Sequence, residues 1–444
     1  MSAATPFARS FARLQALRSP YVGVVREVVE LLAACDDARL FHVVALASES
    51  SVLDDDRLSG GAGGGGYGAV RDRAVAAALG EAIERYSAAH VPDEQLVLAT
   101  AAELGADAPA PERFALFATE QYRRPGFPFV PFTDSTPVRW VSGRAVADGR
   151  VVRLPAQLVY LPWARLAPGE APIGYSTSSG LACGATWDEA LLAALLELVE
   201  RDAFMITWYA RLSLPRLDWS DDAELHAFDD RHLAPTRLRH EVVDLSGFLD
   251  VPTALAVVHA DGRGRGELGV GAASAPTVQE AWRKSLAEAY SVRSSARTLV
   301  GLNPDRVFRP DFADVAAFDD HIHLYGFRAH ARRAAFLDAS PERRSVADVA
   351  PLEGAAPADR VAAIVRRLDA AGLEAFAVDV TSADVRDAGL HVARAVVPGL
   401  CPLDVRHDAR YLGARRLREV PFRLGLRPAP LRFDELNPDP HPFP

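Results

Sequence analysis

Glutamates set three apart and closed by an arginine occur twice in this chain. Glu81, Glu84 and Arg85 form one unit, and Glu197, Glu200 and Arg201 form the other. Residues three apart share a helix face, so each unit aims two carboxylates at one place with a cation beside them. Burying two like charges that close is costly unless something positive lies between or beside them. Such a set suits a nucleoside triphosphate with Mg2+, which needs hard oxygen ligands for the metal and positive charge for the phosphates. A carboxylate-bridged di-iron bundle would place Glu-x-x-His on its helices, and neither unit offers a histidine. A glycoside hydrolase works with two carboxylates, fewer than are gathered here. Plain solvated helix faces are the competing reading, and the repetition weighs against it.

The stretches that carry these residues share a layout. Residues 176–203 read STSSGLACGATWDEALLAALLELVERDA, with Gly180 and Gly184 ahead of Glu189, Glu197 and Glu200. Leu192, Leu195, Leu196 and Val199 recur at helical spacing. Residues 66–89, GYGAVRDRAVAAALGEAIERYSAA, repeat the plan. A third, partial copy spans 269–293, where GVGAASAPTVQE leads to Glu280, Lys284 and Glu288. Three such helices predict one shared centre. The tract 60–68, GGAGGGGYG, reads either as a mobile linker or as backbone approaching an anion ahead of a helix N-terminus. It lacks the GxxxxGK[ST] pattern of a standard phosphate loop.

The 444 residues suffice for a large core and for more than one lobe. With 49% hydrophobic residues the composition is globular. A formal net charge of -10 argues against a general nucleic-acid surface. Three cysteines, Cys35, Cys183 and Cys401, lie far apart without metal-ligand spacing, which predicts neither zinc site nor disulfide framework and favours the cytoplasm. No apolar run reaches membrane-span length, and no signal-peptide core opens the chain.

Periodicity predicts helices over 5–17, 70–90 and 277–294 and strands over 21–29 and 41–47. A strand pair over 137–161 turns at Asp148-Gly149. Residues 361–381 read as a helix, a Gly372 cap and a strand, and 392–397 as a further strand. The layering is α+β or mixed, with no GxGxxG fingerprint after a strand. His321 and His323, in FDDHIHLYG, are read as satisfied polar side chains on a loop rather than metal ligands. Cys183 is read as a packed small residue, because no base lies near it in sequence. The aromatics after residue 203 are read as core. At the end, RFDELNPDPHPFP alternates proline at 438, 440, 442 and 444, which favours an extended polyproline strand. Such a tail either frays or docks with little entropy loss.

From Ser19-Pro20 onward the chain resembles the YcaO-domain family. The matching pieces are GEAIERYSAA, STSSGLACGATWDEALLAALLELVERDAF, EAWRKSLAEAYSVR, FDDHIHLYG and AVDVTSADVRDAGLHVARAVVPGL. The resemblance implies an α+β YcaO-like fold whose mixed sheets are packed by helices around a central ATP/Mg2+ cleft. Residues 1–430 would be the ATP-binding catalytic domain, in one or two lobes, and 431–444 a proline-rich tail entering or flanking the active site. It implies that Glu81, Glu84, Glu197 and Glu200 hold Mg2+. Ser19, Arg85, Glu189, Arg201, Lys284, Glu288 and Arg293 would join them in binding the nucleotide, with catalytic roles for Pro444, Arg201 and Lys284. Ala77, Ala185, Lys284 and Ser291 depart from residues common in the family; at position 284 lysine keeps the charge but loses the bidentate fork of arginine.

PHPFP at 440–444 resembles the stand-alone, azoline-forming cyclodehydratases of thiazole/oxazole-modified peptide biosynthesis. That implies ATP-dependent conversion of Cys, Ser or Thr in a ribosomal precursor peptide to thiazoline or (methyl)oxazoline through phosphorylation of the amide oxygen. The chain starts almost directly at the family-like part, so an E1-like or ThiF-like partner is expected to hold the precursor's leader. A flavin-dependent dehydrogenase is an optional later partner, and a homodimer is reasonable. Neither nucleic acid nor membrane is expected as a partner. Thioamide- or amidine-forming relatives and a non-catalytic scaffold are the alternatives.

Overall fold

A computed structural model describes residues 5–48, 63–114, 116–162, 166–262 and 265–443. The first helix, α1 (Pro6–Ala16), has proline in its first turn and Thr5 as its cap, whose Oγ1 accepts the Ala8 N–H at 3.2 Å. Strands β1 (Val25–Leu31), β2 (Phe41–Ala47) and β3 (Gly63–Gly68) then form an antiparallel sheet in that order. The strand expected from residue 21 begins later. Ser19 Oγ accepts the Tyr21 and Val22 N–H groups at 3.3 and 3.4 Å and holds those residues in a turn.

The glycine tract, where it is described, is neither linker nor phosphate loop but strand β3. Glycine weakens a strand unless another backbone must come close. That is the case here, because a Cβ on Gly66 would fall onto the Ala74 carbonyl of helix α2 (Arg71–Ala89). The rest of the tract lies outside the described residues.

Next come β4 (Val97–Ala99), the hairpin β5 (Val138–Ala145) and β6 (Val151–Pro155), and β7 (Leu181–Gly184). Gly149 takes φ +74° at the hairpin turn, as its position predicts. Strand β7 is the supposed lead-in to α3 (Trp187–Tyr209). That helix runs past residue 203, and its last turns bury Phe204, Trp208 and Tyr209 in the core. Strands β8 (Arg216–Asp218), β9 (Arg239–Asp244), β10 (Thr253–His259) and β11 (Leu268–Ser274) lead to α4 (Val278–Leu302). After α5 (Phe318–Tyr325) come β12 (Arg343–Ser345), α6 (Pro357–Ala370), β13 (Phe376–Asp379) and β14 (His391–Val396).

Two further sheets run β4-β5-β13-β14-β7, with β6 beside β5, and β11-β10-β9-β8-β12. Each sheet thus contributes one strand that leads straight into a long helix: β3 to α2, β7 to α3, β11 to α4. The mixed α+β layering is as expected. His321 and His323 are a correction to the sequence reading, because they lie on helix α5, not on a loop, and both are buried. The Ala-Phe-Asp-Asp lead supplies a helix start, with Asp320 accepting the Ala317 N–H at 3.1 Å.

The tail is docked rather than frayed. Leu436 and Phe443 belong to the same core as the last turns of α3. Its backbone is gripped almost residue by residue. Trp208 Nε1 donates to Asp439 O at 3.1 Å, Tyr325 Oη to Pro440 O at 2.5 Å, and Arg410 Nη1 to Asn437 O at 3.0 Å. Pro444, the residue on which a catalytic role was placed, lies outside the described residues.

Candidate functional site

A cleft of about 890 Å3 opens where the three strand–helix units meet. Each unit supplies a glutamate whose carboxylate is fixed by backbone in the strand of its own unit or, for Gly180, just before it. Glu81 Oε2 accepts the Gly65 N–H at 2.8 Å, Glu197 Oε2 the Gly180 N–H at 3.1 Å, and Glu288 Oε2 the Ala272 N–H at 2.8 Å. Glu288 is therefore the third unit's counterpart of Glu81 and Glu197, as the eight-residue spacing from Glu280, shared with Glu189 and Glu197, predicts. The strand backbone and the helix glutamate define one motif repeated three times around the cleft.

Within the two arginine-closed units the pairing also repeats. Arg85 Nη2 lies 3.0 Å from Glu81 and its Nε 3.5 Å from Glu84. Arg201 Nη2 lies 3.3 Å from Glu197 and its Nη1 2.9 Å from Glu200. Glu200 Oε2 also accepts the Ser274 N–H at 3.3 Å, which ties α3 to β11. Burial pushes the Glu84 carboxyl well up from its ordinary range, with Arg85 opposing and Glu197 and Glu81 reinforcing the shift. Burial likewise raises Glu200, and it raises Glu288 to about 8, the charge on Glu200 adding to the latter. Burial therefore disfavours the charged forms of Glu84, Glu200 and Glu288. A cation beside them would favour those forms.

Arg394, on β14, was assigned no role from sequence. It is buried, donates to Thr177 O and Leu158 O at 2.7 Å each, and keeps its Nε without a partner. Burial pulls its guanidinium down to about 10, against the pull of Glu197 and Glu84. Its signal was one arginine between alanines in an apolar strand. Tyr67 is another omission: it lines the cleft between Glu81 and Glu288, and burial raises its phenol.

The remaining predicted residues fall into two groups. Glu189, Lys284, Ala77, Ala185 and Cys183 line the cleft. Glu189 is held at the start of α3, accepting the Ala185 N–H at 3.0 Å, and Lys284 is 57% exposed and paired with Glu280 at 2.9 Å. Burial pushes the Cys183 thiol up to about 12, in keeping with packing rather than reactivity. Ser19 and Arg293 are not among the described residues that line the cleft. Ser19 caps the turn before β1. Arg293 is almost fully buried on α4, donating to Gly266 O at 3.2 Å and bridging to Asp36 at 2.7 Å. Phe7 and Ser10, on α1, line the cleft.

The donor set fits Mg2+ with a phosphate ligand. Among the described residues no three His, Cys, Asp or Glu side chains converge to hold an ion on their own. Mg2+ asks for only one or two carboxylates when phosphate oxygens and water fill the other positions.

The tail reaches this centre. The Phe443 ring lies over the Arg201 guanidinium at 4.4 Å and against Phe204 at 4.6 Å. On the far face of the same helical turn, Asp202 is fully buried and pairs with Arg416 at 2.6 Å.

Among solved structures, a heterocyclase in complex with substrate and cofactor superposes with a TM-score of 0.77 at 24% identity, covering 99% of this chain and 57% of that one. The YcaO protein of Methanopyrus kandleri bound with AMPPCP and Mg2+ gives a TM-score of 0.63 at 20% identity over 91% of this chain and 93% of that one. An uncharacterised protein of Methanothermobacter thermautotrophicus is 28% identical over 362 residues, 80% of this chain and 84% of its own length. The chain thus spans little more than half of that heterocyclase. It also matches 30% of an uncharacterised Rhizobium leguminosarum bv. trifolii protein in the tfuA 3' region, at 36% identity over 28% of this chain. Residues 65–401 match the family described as YcaO cyclodehydratase, ATP- and Mg2+-binding, and this span contains all three strand–helix units except the first two residues of β3. The chain belongs to the YcaO family.

Proposed function

We propose that this chain is an ATP-dependent cyclodehydratase that converts Cys, Ser or Thr residues of a ribosomal precursor peptide to azolines. The observation that carries the reading is the docking of the proline-rich tail, through Phe443, onto Arg201 inside the carboxylate cleft. Family membership supports ATP and Mg2+ as the ligands of that cleft. When bound, Mg2+ would offset phosphate charge and ATP would supply the phosphoryl group that turns an amide oxygen into a leaving group.

The protein's own part is positioning. Backbone N–H groups fix one oxygen each of Glu81, Glu197 and Glu288. The other oxygens of Glu81 and Glu197 pair with Arg85 and Arg201, so a metal–phosphate assembly would share them with those arginines. Arg85 and Arg201 keep Glu84 and Glu200 close to that assembly and add positive charge. Lys284, exposed at the rim, can leave Glu280 for a phosphate oxygen. In this reading residues 1–430 supply the cleft and the tail flanks it through the contact of Phe443 with Arg201.

The precursor needs a presenter, for which an E1-like or ThiF-like leader-binding protein is the proposed partner; later oxidation by a flavin enzyme is compatible with the reading. Among the described residues no helix is long and apolar enough to cross a membrane; a cytoplasmic setting, where ATP is at hand, is part of the proposal.

The test is mass spectrometry of candidate peptides incubated with the chain, ATP, Mg2+ and the partner. The expected product has lost one water per ring, with one phosphate released for each. Phosphate release without loss of water would move the reading to thioamide formation; an amidine also loses one water and would be told apart by consumption of an amine in place of a thiol or hydroxyl. Neither product with any candidate would leave only the scaffold role.

A further inference from the structure

The two arginines that close the glutamate pairs differ in one respect. No described aromatic ring covers Arg85, whereas Arg201 lies beneath Phe443. Phe443 is fully buried, and its ring is wedged between that guanidinium and Phe204. Arg201 Nε is buried without a hydrogen-bond partner. Its Nη2 donates to Glu197 at 3.3 Å and its Nη1 lies 2.9 Å from Glu200, and the Phe443 ring is a third contact on the same guanidinium. A cation over an aromatic face is attracted by the ring quadrupole, most strongly where water is excluded.

The register of the tail makes this contact reproducible. His321 lies 2.8 Å from His441 O, and His441 Nε2 lies 2.6 Å from Asp404 O, with the two imidazoles stacked at 4.2 Å. The Phe443 N–H donates to His441 Nδ1 at 3.3 Å. These bonds grip the backbone of residue 441 and its ring, so residue 443 arrives at one place.

We infer that Phe443 is a positioning residue for the cleft, and that its ring holds the Arg201 guanidinium in the plane that bridges Glu197 and Glu200. The role of Arg201 in handling phosphate rests on the function proposed above; the contact does not. The ring touches neither nucleotide nor peptide in this scheme and acts through Arg201 alone.

The experiment compares Phe443→Leu, which keeps much of the bulk, with Phe443→Tyr, which keeps the ring, in the full chain. In 15N-arginine-labelled protein the Arg201 Nε–H resonance, identified by its loss in Arg201→Lys, is expected to be shifted upfield by the ring current. Phe443→Leu should abolish that shift and Phe443→Tyr preserve it. With precursor and partner, Phe443→Leu should lower kcat about tenfold while changing the KM for ATP less than about twofold, and Phe443→Tyr should recover most of the rate. Phe443→Met provides a second ring-free side chain if the leucine variant folds poorly. An unshifted resonance in the wild type would overturn the inference. So would Leu and Tyr variants equal to each other in rate, because a ring that only fills space would not tell them apart. A wild-type chain that shows the shift but processes no peptide would sink the cyclodehydratase reading instead. The comparison would then pass to affinity for AMPPCP with Mg2+, where equal binding by the Leu and Tyr variants again overturns the positioning role.

Discussion

The two arginine-closed units are alike in sequence and unlike in setting. In the first, Arg85 is 27% exposed and Glu81 36%; in the second, Arg201 is 13% exposed and Glu197 22%. The first stands on the small sheet β1-β2-β3. The second stands at the middle of the molecule, tied to β11 through Glu200, to the tail through Arg201 and to the segment after β14 through Asp202. One motif can therefore serve as an adjustable jaw in one place and as a fixed one in another. What differs is how many other elements hold it.

The largest test of that contrast is removal of each arginine. Arg201→Ala strands two carboxylates in a buried setting and is expected to destabilise the ligand-free protein by about 3 kcal/mol. Arg85→Ala, at a wetter and more screened site, should cost about 1 kcal/mol. Urea denaturation reads both, and equal losses would erase the distinction. Next in size are the strand glycines. Gly66→Ala and Gly184→Ala each push a Cβ into helix backbone, the latter 2.5 Å from Ala190 N, and should cost about 1–3 kcal/mol. Gly68→Ala meets nothing within 4 Å and serves as the tolerated control. If the alanine at 68 were as harmful as that at 66, close approach would not explain the strand.

A smaller effect is expected from neutralising the carboxylates. Glu200→Gln should weaken binding of AMPPCP with Mg2+ about tenfold, and Glu81→Gln less, because water can replace part of what Glu81 supplies. Since burial already disfavours the charge on Glu200, its glutamine variant should melt no lower than the wild type. Calorimetry and thermal melts separate the two readouts.

The mildest effect is one of pH. Glu288 has a folded pKa of about 8 against an ordinary 4.5. The folded state then holds that proton more tightly, so stability of the ligand-free protein should fall as pH rises from about 4.5 to 8. Binding of AMPPCP with Mg2+ needs bare carboxylates, so it should strengthen as pH approaches 8 and release protons. Titration in buffers of different ionisation heat would show this, and a proton count of zero would argue against metal contact at Glu288.

Much of this was legible in the sequence because helix periodicity and residue type survive without tertiary context. The ExxER units, the third helix, the Asp148-Gly149 hairpin and the helix–Gly372–strand unit all lie where local pattern puts them. ELGVGAAS reads as strand-like in sequence and is β11, but the strands before the other two helices were harder to see. Small residues in β3 and β7 look like loop because their meaning, a helix lying against them, resides in a partner not yet known. The histidines of α5 misled for a related reason: FDDHIHLYG alternates like a strand, but Asp320 caps a helix. Arg394 was passed over because an arginine in a strand declares its partners, Thr177 and Leu158, only after folding. Resemblance placed Ser19 and Arg293 with the nucleotide; the fold uses one for a turn and the other to bind α4 to the segment at Asp36.

The grip on the tail has a kinetic consequence. Trp208 and Asp439 lie 231 residues apart, and Tyr325 and Pro440 115. Contacts across such loops carry a large closure entropy and form late. The lid over Arg201 should therefore be absent from the rate-limiting barrier, so that weakening it hastens unfolding and leaves the pace of refolding nearly unchanged.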